Sequence, residues 1–401
     1  MSFSLPGPVL QAIRRLNSQG HAAYAVGGCV RDMLRGETPH DYDICVSCPP
    51  EETHACFAGE RVIDTGIRHG TVTVLLGGMP LEITTFRMDG VYLDGRHPQS
   101  VSFTDRLEED LKRRDFTVNA MAYHPETGLV DLFGGQADLA AGVIRCVGDA
   151  PTRLTEDALR ILRALRFAAR LGFAIEADTA AAMHALRERL TLVSRERIAE
   201  ELLQTLQAAG AARVLSDFPD VLLAALPAYP AEDFPAGLDA LTRLPAGDSM
   251  TALAALLHRC RERVLQQCLD SLHLSRELYS GTLALCRLAN HAFPLEETAL
   301  YLSQLGEGQL ERLLTLQLAC GTLTVPEVTR RQARARAALA AGLPLELRQL
   351  SIRGEDLKAL GYEGAEIGET LNVLHALVLR GKMAYDRSSL LAWAARNRKN
   401  G

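Results

Sequence analysis

The chain is 401 residues long, 47% hydrophobic and 23% charged, with a formal net charge of -6. These are ordinary globular proportions; they exclude a disordered, collagen-like or purely coiled-coil chain, and no run approaches the roughly 18 apolar residues of a membrane span. The nine cysteines are odd in number and irregularly spaced, which reads as reduced thiols in a cytoplasmic protein; the lone C-x-x-C of Cys45 and Cys48 lacks the second ligand pair of a zinc site.

In chain order, Ala23–Val26 reads as a short strand ending in Gly27-Gly28, and Cys29–Arg35 has a helical pattern. Tyr42–Val46 reads as a second strand. Thr71–Leu76 and Leu81–Phe86 alternate β-branched and apolar residues on either side of a Gly-Gly-Met-Pro turn, as a hairpin does. A small mixed sheet carrying helices is the expectation for this third of the chain. Strand signals fade after about residue 150. Thr155–Leu171 has helical spacing, with Leu159, Leu162, Leu165 and Phe167 on one side, and helical patterns continue over 177–190 and 195–208. A proline-rich stretch from Pro219 to Pro245 is the clearest boundary, and four or five further helices are expected from Thr251 onward. From Arg330 to the end there are 13 basic and 7 acidic residues, a local charge of +6 on a chain whose remainder carries -12. Such a basic end is one footprint of a polyanion binder, and equally of a solvated helical surface.

Two features carry chemistry. Asp41 and Asp43 stand two apart at the start of a strand, so their carboxylates share a face and present hard oxygens to a divalent cation. Ahead of them, Gly27-Gly28 at a strand-to-helix junction lets backbone N–H groups approach a phosphate closely, with Arg31 as a charge-assisted donor. Each has a plainer reading, a solvated strand edge and a tight turn. Together, strand, Gly-Gly, helix and D-x-D strand form the layout of a nucleotidyltransferase.

At this point the chain resembles the DNA polymerase beta superfamily, and within it the class II tRNA nucleotidyltransferases (CCA-adding enzymes) and bacterial poly(A) polymerases. The resemblance rests on Gly27 to Asp32, Asp41-Tyr42-Asp43, Leu81 to Arg87, Arg113 to Ala120, Glu156 to Arg160 and Ser194 to Leu202, in that order. It implies an α+β fold: a mixed-sheet catalytic head over 1–140, a helical neck for base recognition over 141–210, a helical body over 211–330 and a basic helical tail over 331–401. One departure is Arg35, where the family carries an aliphatic residue; it is expected to be exposed.

The resemblance also implies roles. Asp41 and Asp43 would hold Mg²⁺, with Glu82 on a neighbouring strand as a candidate third carboxylate. Arg114 and Asp115 would contact the ribose, and Asn119 would support them. Asp157 and Arg160 would read the base. Cytosine and adenine each present an amine beside a ring-nitrogen acceptor, which a carboxylate and a guanidinium match; uracil and guanine present the opposite pair and leave polar groups unpaired. A cap at Thr155 and an Asp157–Arg160 ion pair would explain the same residues without nucleotide. Arg163 and Arg166 continue a basic stripe toward triphosphate, primer or solvent. Residues 86–98 resemble the family's flexible loop, with Asp94 and Arg96 coupling closure to the change from C to A. The tail, from Gly354-Glu355-Asp356 to Gly381-Lys382, would grip the tRNA elbow. No appended phosphohydrolase domain is expected. The implied activity is template-independent addition of CCA to the tRNA 3′ end from CTP and ATP, with no membrane partner. Open rivals are a poly(A) polymerase, a partial CC- or A-adding enzyme, a small-molecule nucleotidyltransferase, and a tRNA-binding module with an inert head.

Overall fold

The computed structural model describes residues 3–67, 70–89 and 101–398; Asp94 and Arg96 lie outside them. The chain divides into two compact units, residues 1–228 with 271–273, and residues 229–270 with 274–401. The first break falls inside the proline-rich stretch.

The first unit opens with α1 (Gly7–Ser18), which carries Pro8 in its first turn, where a missing N–H costs nothing. Then come β1 (Ala23–Val26), α2 (Gly28–Leu34), β2 (Asp43–Val46), α3 (Pro50–Cys56), β3 (Arg61–Gly66), β4 (Thr71–Leu76) and β5 (Met79–Thr85). A separate two-stranded ribbon, β6 (Arg87–Asp89) with β7 (Val101–Phe103), leads to α4 (Leu107–Lys112), β8 (Met121–His124) and β9 (Gly128–Asp131). Seven strands form one sheet in the order β3-β4-β5-β2-β1-β8-β9. All neighbours in it are antiparallel except β2 and β5.

Both faces of the sheet centre are covered. Ile44 and Val46 of β2 join Val9, Ile13 and Leu16 of α1 in the main core, while Cys45 joins Leu111 of α4 on the other face. Burying Ile13 and Leu16 fully stabilises by roughly 1.5–3 kcal/mol each. Alternation along β2 therefore puts Asp43 on the α4 face. The sheet extends beyond the expected strands. β8 is buried at all four positions, so it shows no alternation, and β3 is a charged edge strand.

Past the sheet lie α5 (Gly135–Ala141), β10 (Val143–Ile144), α6 (Ala150–Glu156), α7 (Leu159–Leu171), β11 (Ala174–Ile175), α8 (Ala177–Leu186), α9 (Arg195–Leu206), α10 (Ala211–Asp217) and α11 (Pro219–Ala225). The expected single helix over 155–171 is thus two helices. The cap of α6 is Asp149, which accepts from the Thr152 N–H, and Thr155 lies inside α6 rather than capping it. Arg35, expected to be exposed, is half-buried; its guanidinium lies 5.4 Å from the Phe173 ring.

The second unit is helical. Among the described residues, nine helices run from Ser249 to Asn397 instead of four or five. The connectors are too short to interrupt the periodicity: only Gly306, at φ +78°, separates the helix ending at Leu305 from the one starting at Glu307. Leu350, Ile352, Leu357, Tyr362, Leu374, Val378 and Leu390 form its C-terminal core, where the Tyr362 hydroxyl donates to Ala394 O at 2.9 Å.

Candidate active site

Gly27 turns the chain from β1 into α2 at φ +79°, a conformation that favours glycine. Its N–H donates to Met121 O at 3.1 Å, and a Cβ there would stand 3.1 Å from Arg114 Nη1. Backbone register does the rest of the placement. Val26 pairs with Asp43 across β1–β2, and Asp43 pairs with Glu82 across the parallel β2–β5. Asp41 lies in a bend just before β2, but the alternation already holds: Asp41 and Asp43 are exposed, whereas Tyr42 and Ile44 are buried. Asp43 is open to solvent along one side, yet the protein around its carboxyl desolvates it. That burial, then the Glu82 and Asp41 charges, push it up to about 6 against the opposing pull of Arg114. Three hard oxygen donors whose charges repel one another are a donor set suited to a divalent cation.

Behind these carboxylates runs a network of fixed charges. Arg31, 4% exposed, donates through Nη1 to Asn119 Oδ1 at 2.7 Å and pairs with Asp32 at 2.8 Å. Asn119 Nδ2 in turn donates to Asp115 Oδ1 at 3.2 Å. Asp115 also accepts from the Phe116 N–H at 2.8 Å and from Arg163 Nε and Nη2 at 2.9 and 2.6 Å. Its four acceptor positions are filled. Glu201 of α9 closes the network, pairing with Arg166 at 2.6 Å and Arg163 at 3.7 Å. Asp110, fully buried on α4, holds Arg113 at 2.7 Å and Arg114 at 3.1 Å. Burial alone would raise its carboxyl, but the two guanidiniums outweigh burial and lower it.

The side chains of Asp157 and Arg160 do not pair with each other; the Arg160 N–H donates to Asp157 O at 3.0 Å. The break between α6 and α7 leaves Asp157 extended, with Oδ1 accepting from the Leu159 N–H at 3.1 Å and Oδ2 pairing with Arg197 Nη2 of α9 at 3.2 Å. Arg160 donates to Glu156 at 2.8 Å, to Arg153 O at 2.9 Å and to Arg113 O at 3.0 Å. Two residues read as a helical ion pair are thus anchored separately.

One cavity of about 530 Å³ collects these groups, within the usual range of small-molecule sites. It is lined by Gly27, Gly28, Arg31, Asp41, Asp43, Arg114, Asp115, Asn119, Asp157, Arg160, Arg163 and Arg166, all marked from sequence. Glu82 is beside Asp43 by register but not among the lining residues. Arg87, Arg113, Phe167 and Arg197 also line it. The arginines among them lie inside the motif blocks but carried no assigned role. Eight arginines against four aspartates give the wall an excess of positive charge, as a polyanionic ligand requires.

The Asp115–Arg163 pair has a pH signature. Burial alone would raise the Asp115 carboxyl, but Arg163 and the Phe116 and Asn119 donors outweigh it and hold it at about 2, below its ordinary 3.8. A depressed carboxylate contributes stability that is full above about pH 4 and is lost as pH falls through about 2, here about 2 kcal/mol. The expected result is that Asp115→Asn flattens the pH dependence of unfolding in that window by about one proton. The single tryptophan, Trp393, lies in the second unit, so the check is amide exchange in β1 and β8. An unchanged slope overturns the assignment.

Known proteins match both fold and sequence. Residues 23–145 match the family described as the poly A polymerase head domain, and residues 172–219 match the probable RNA and SrmB-binding site of polymerase A. The chain is 37% identical over 388 residues to a CCA-adding enzyme of Leuconostoc mesenteroides, covering 95% of this chain and 94% of that one. It is 36% identical over 399 residues to a CCA-adding enzyme of Levilactobacillus brevis, covering 97% of both. The crystal structure of the Bacillus stearothermophilus CCA-adding enzyme in complex with CTP superimposes with a TM-score of 0.85 at 32% identity, over 98% of each chain.

Proposed function

Since the chain belongs to the family of CCA-adding enzymes, tRNA nucleotidyltransferases, we propose that the arginine-lined cavity of its first unit is where C, C and A are joined in turn to a tRNA 3′ end from CTP and ATP. The observation that carries this reading is the convergence in that one cavity of twelve residues from separate sequence blocks. Pyrophosphate leaves at each step, and no nucleic-acid template is used.

Asp41 and Asp43, with Glu82 beside them, would hold Mg²⁺. The chemistry Mg²⁺ supplies there is activation of the primer 3′ hydroxyl and neutralisation of charge at the α-phosphate. The Gly27-Gly28 turn gives the triphosphate close access to backbone N–H groups, and Arg114 stands beside it. Asp115 accepts a ribose hydroxyl by exchanging it for Arg163, the donor most open to solvent at 34% side-chain exposure. The guanidinium so released is free to meet phosphate. Asp157 and Arg160 read the base edge. Arg197 positions Asp157, and the backbone oxygens of Arg113 and Arg153 hold Arg160. Residues 141–210 serve as the neck, and the basic C-terminal helices bind tRNA through phosphate and shape. The setting is the cytoplasm, where nine free thiols stay reduced. Among the described residues no helix is long and apolar enough to cross a membrane.

The test is purified chain, Mg²⁺, and a tRNA trimmed of its last three nucleotides, supplied with labelled CTP and then ATP. Two cytidines followed by one adenosine, and then a stop, is the expected product. Long adenosine tails on unstructured RNA would identify a poly(A) polymerase instead, and an unextended tRNA would overturn the reading altogether.

A further inference from the structure

A second cluster of ligand-type side chains lies at the other end of the β1–β2 pair. The antiparallel register runs from Val26↔Asp43 to Ala23↔Val46, and the Ala22 and Ser47 backbones continue it, with Ser47 N donating to Ala22 O at 2.9 Å. His21 and Cys48 are the next residues along the two segments, just past the ladder. Glu52 joins them from the first turn of α3. The imidazole nitrogen, the thiol sulfur and a carboxylate oxygen all lie within 4.8 Å of one another, with His21 Nε2 and Glu52 Oε2 at 3.7 Å.

We propose that His21, Cys48 and Glu52 form a binding site for a borderline-soft divalent cation of the zinc class, with water in the fourth position. The donor chemistry carries this choice. Thiolate, imidazole and carboxylate are the ligands zinc takes, at about 2.3, 2.0 and 2.0–2.2 Å. In a tetrahedron those bonds set the donors roughly 3.3–3.7 Å apart, so small side-chain rotations close the site. One thiolate and one carboxylate cancel the charge of a divalent ion. Sulfur and nitrogen disfavour Mg²⁺, so the ion proposed for Asp41 and Asp43 does not compete here.

The frame is rigid. Thr85 Oγ1 donates to the Cys48 carbonyl at 2.8 Å, and Pro49-Pro50 fixes the step from Cys48 into α3. Cys48 is buried at 2% exposure, with its sulfur 3.4 Å from Thr53 Oγ1, a hydroxyl able to donate to a thiolate. His21 and Glu52 are more open, with 22% and 56% of their side chains exposed, so the ion arrives from their side. The C-x-x-C spacing played no part: Cys45 belongs to the core on the other side of β2, and the partners of Cys48 come from the segment leading into β1 and from α3. Bound metal would tie the start of β1 to α3.

The test uses the full chain, stripped of metal by a chelator and returned to buffer with excess Mg²⁺, with Co²⁺ as the spectroscopic probe. One equivalent of Co²⁺ is expected to give a thiolate-to-cobalt charge-transfer band that Zn²⁺ abolishes on displacement. Cys48→Ser removes the band and retains CCA addition, which shows that the variant is folded. His21→Gln and Glu52→Gln, at more open positions, each weaken binding by about 10–100-fold, and Zn²⁺ raises the melting temperature of the parent chain more than theirs. Cys56, a half-buried thiol at the end of the same helix as Glu52, is the control: absence of the band in the parent, its persistence in Cys48→Ser, its loss in Cys56→Ser, or undiminished affinity in the two glutamine variants overturns the site. The proposal is independent of the catalytic reading, since no readout but the folding control uses nucleotide transfer.

Discussion

Asp43→Asn is expected to lower nucleotide addition by at least about a thousandfold, because metal-supplied charge stabilisation is worth several kcal/mol and each 1.36 kcal/mol is tenfold. Its effect on folding has the opposite sign. In the ligand-free protein Asp43 sits beside Glu82 and near Asp41, and the three charges repel, which is part of why its carboxyl is pushed up to about 6. Neutralising one relieves the others, so the variant should melt no lower than the parent and should bind tRNA as before. Turnover measured with saturating tRNA, alongside melting temperatures in chelator, separates the two effects. Addition within tenfold of the parent would exclude Asp43 from the metal site, and a clear drop in melting temperature would mean that the carboxylate is structural.

The second large effect concerns base choice. Asp157→Ala removes the acceptor for the C or A amine, and the preference for cytidine over uridine should fall by about a hundredfold or more, since discrimination here depends on unpaired polar groups. Mg²⁺ dependence should persist. Asp157→Ala also gives up the acceptor for the Leu159 N–H and the Arg197 pair; Arg160→Ala should relax the choice too, with the larger loss of stability. Its guanidinium ties the Glu156 carboxylate to the backbone oxygens of Arg113 and Arg153. Misincorporation of labelled UTP and GTP is the measurement, and an unaltered C/A preference in Asp157→Ala would remove the base-reading role.

Much of the site was legible because its signals are short-range. The D-x-D alternation survives in the burial of Tyr42 and Ile44 beside exposed carboxylates, and the Gly-Gly turn marks a positive φ. What stayed hidden depends on tertiary placement. Asp110 looks like any acidic residue of a short helix until the sheet buries it among two arginines. The interruption at Asp157 is invisible to periodicity, because apolar spacing runs on from Leu154 to Leu159; the first N–H of α7 is met by the Asp157 carboxylate, two residues after the threonine expected to cap. β8 escaped because Met121 to His124 are buried on both faces and do not alternate.

The pairing of Val26 with Asp43 and of Asp43 with Glu82 has a consequence for how this chain can change. The separation between the glycine turn and the acidic pair is metered by main-chain ladders, with no side chain acting as the ruler. Lengthening the link between α2 and β2 by a residue or two should leave turnover nearly intact. A single residue inserted within β2 would rotate every following side chain to the opposite side of the sheet, sending Cys45 toward α1 and Val46 toward α4, and would disable catalysis and folding together.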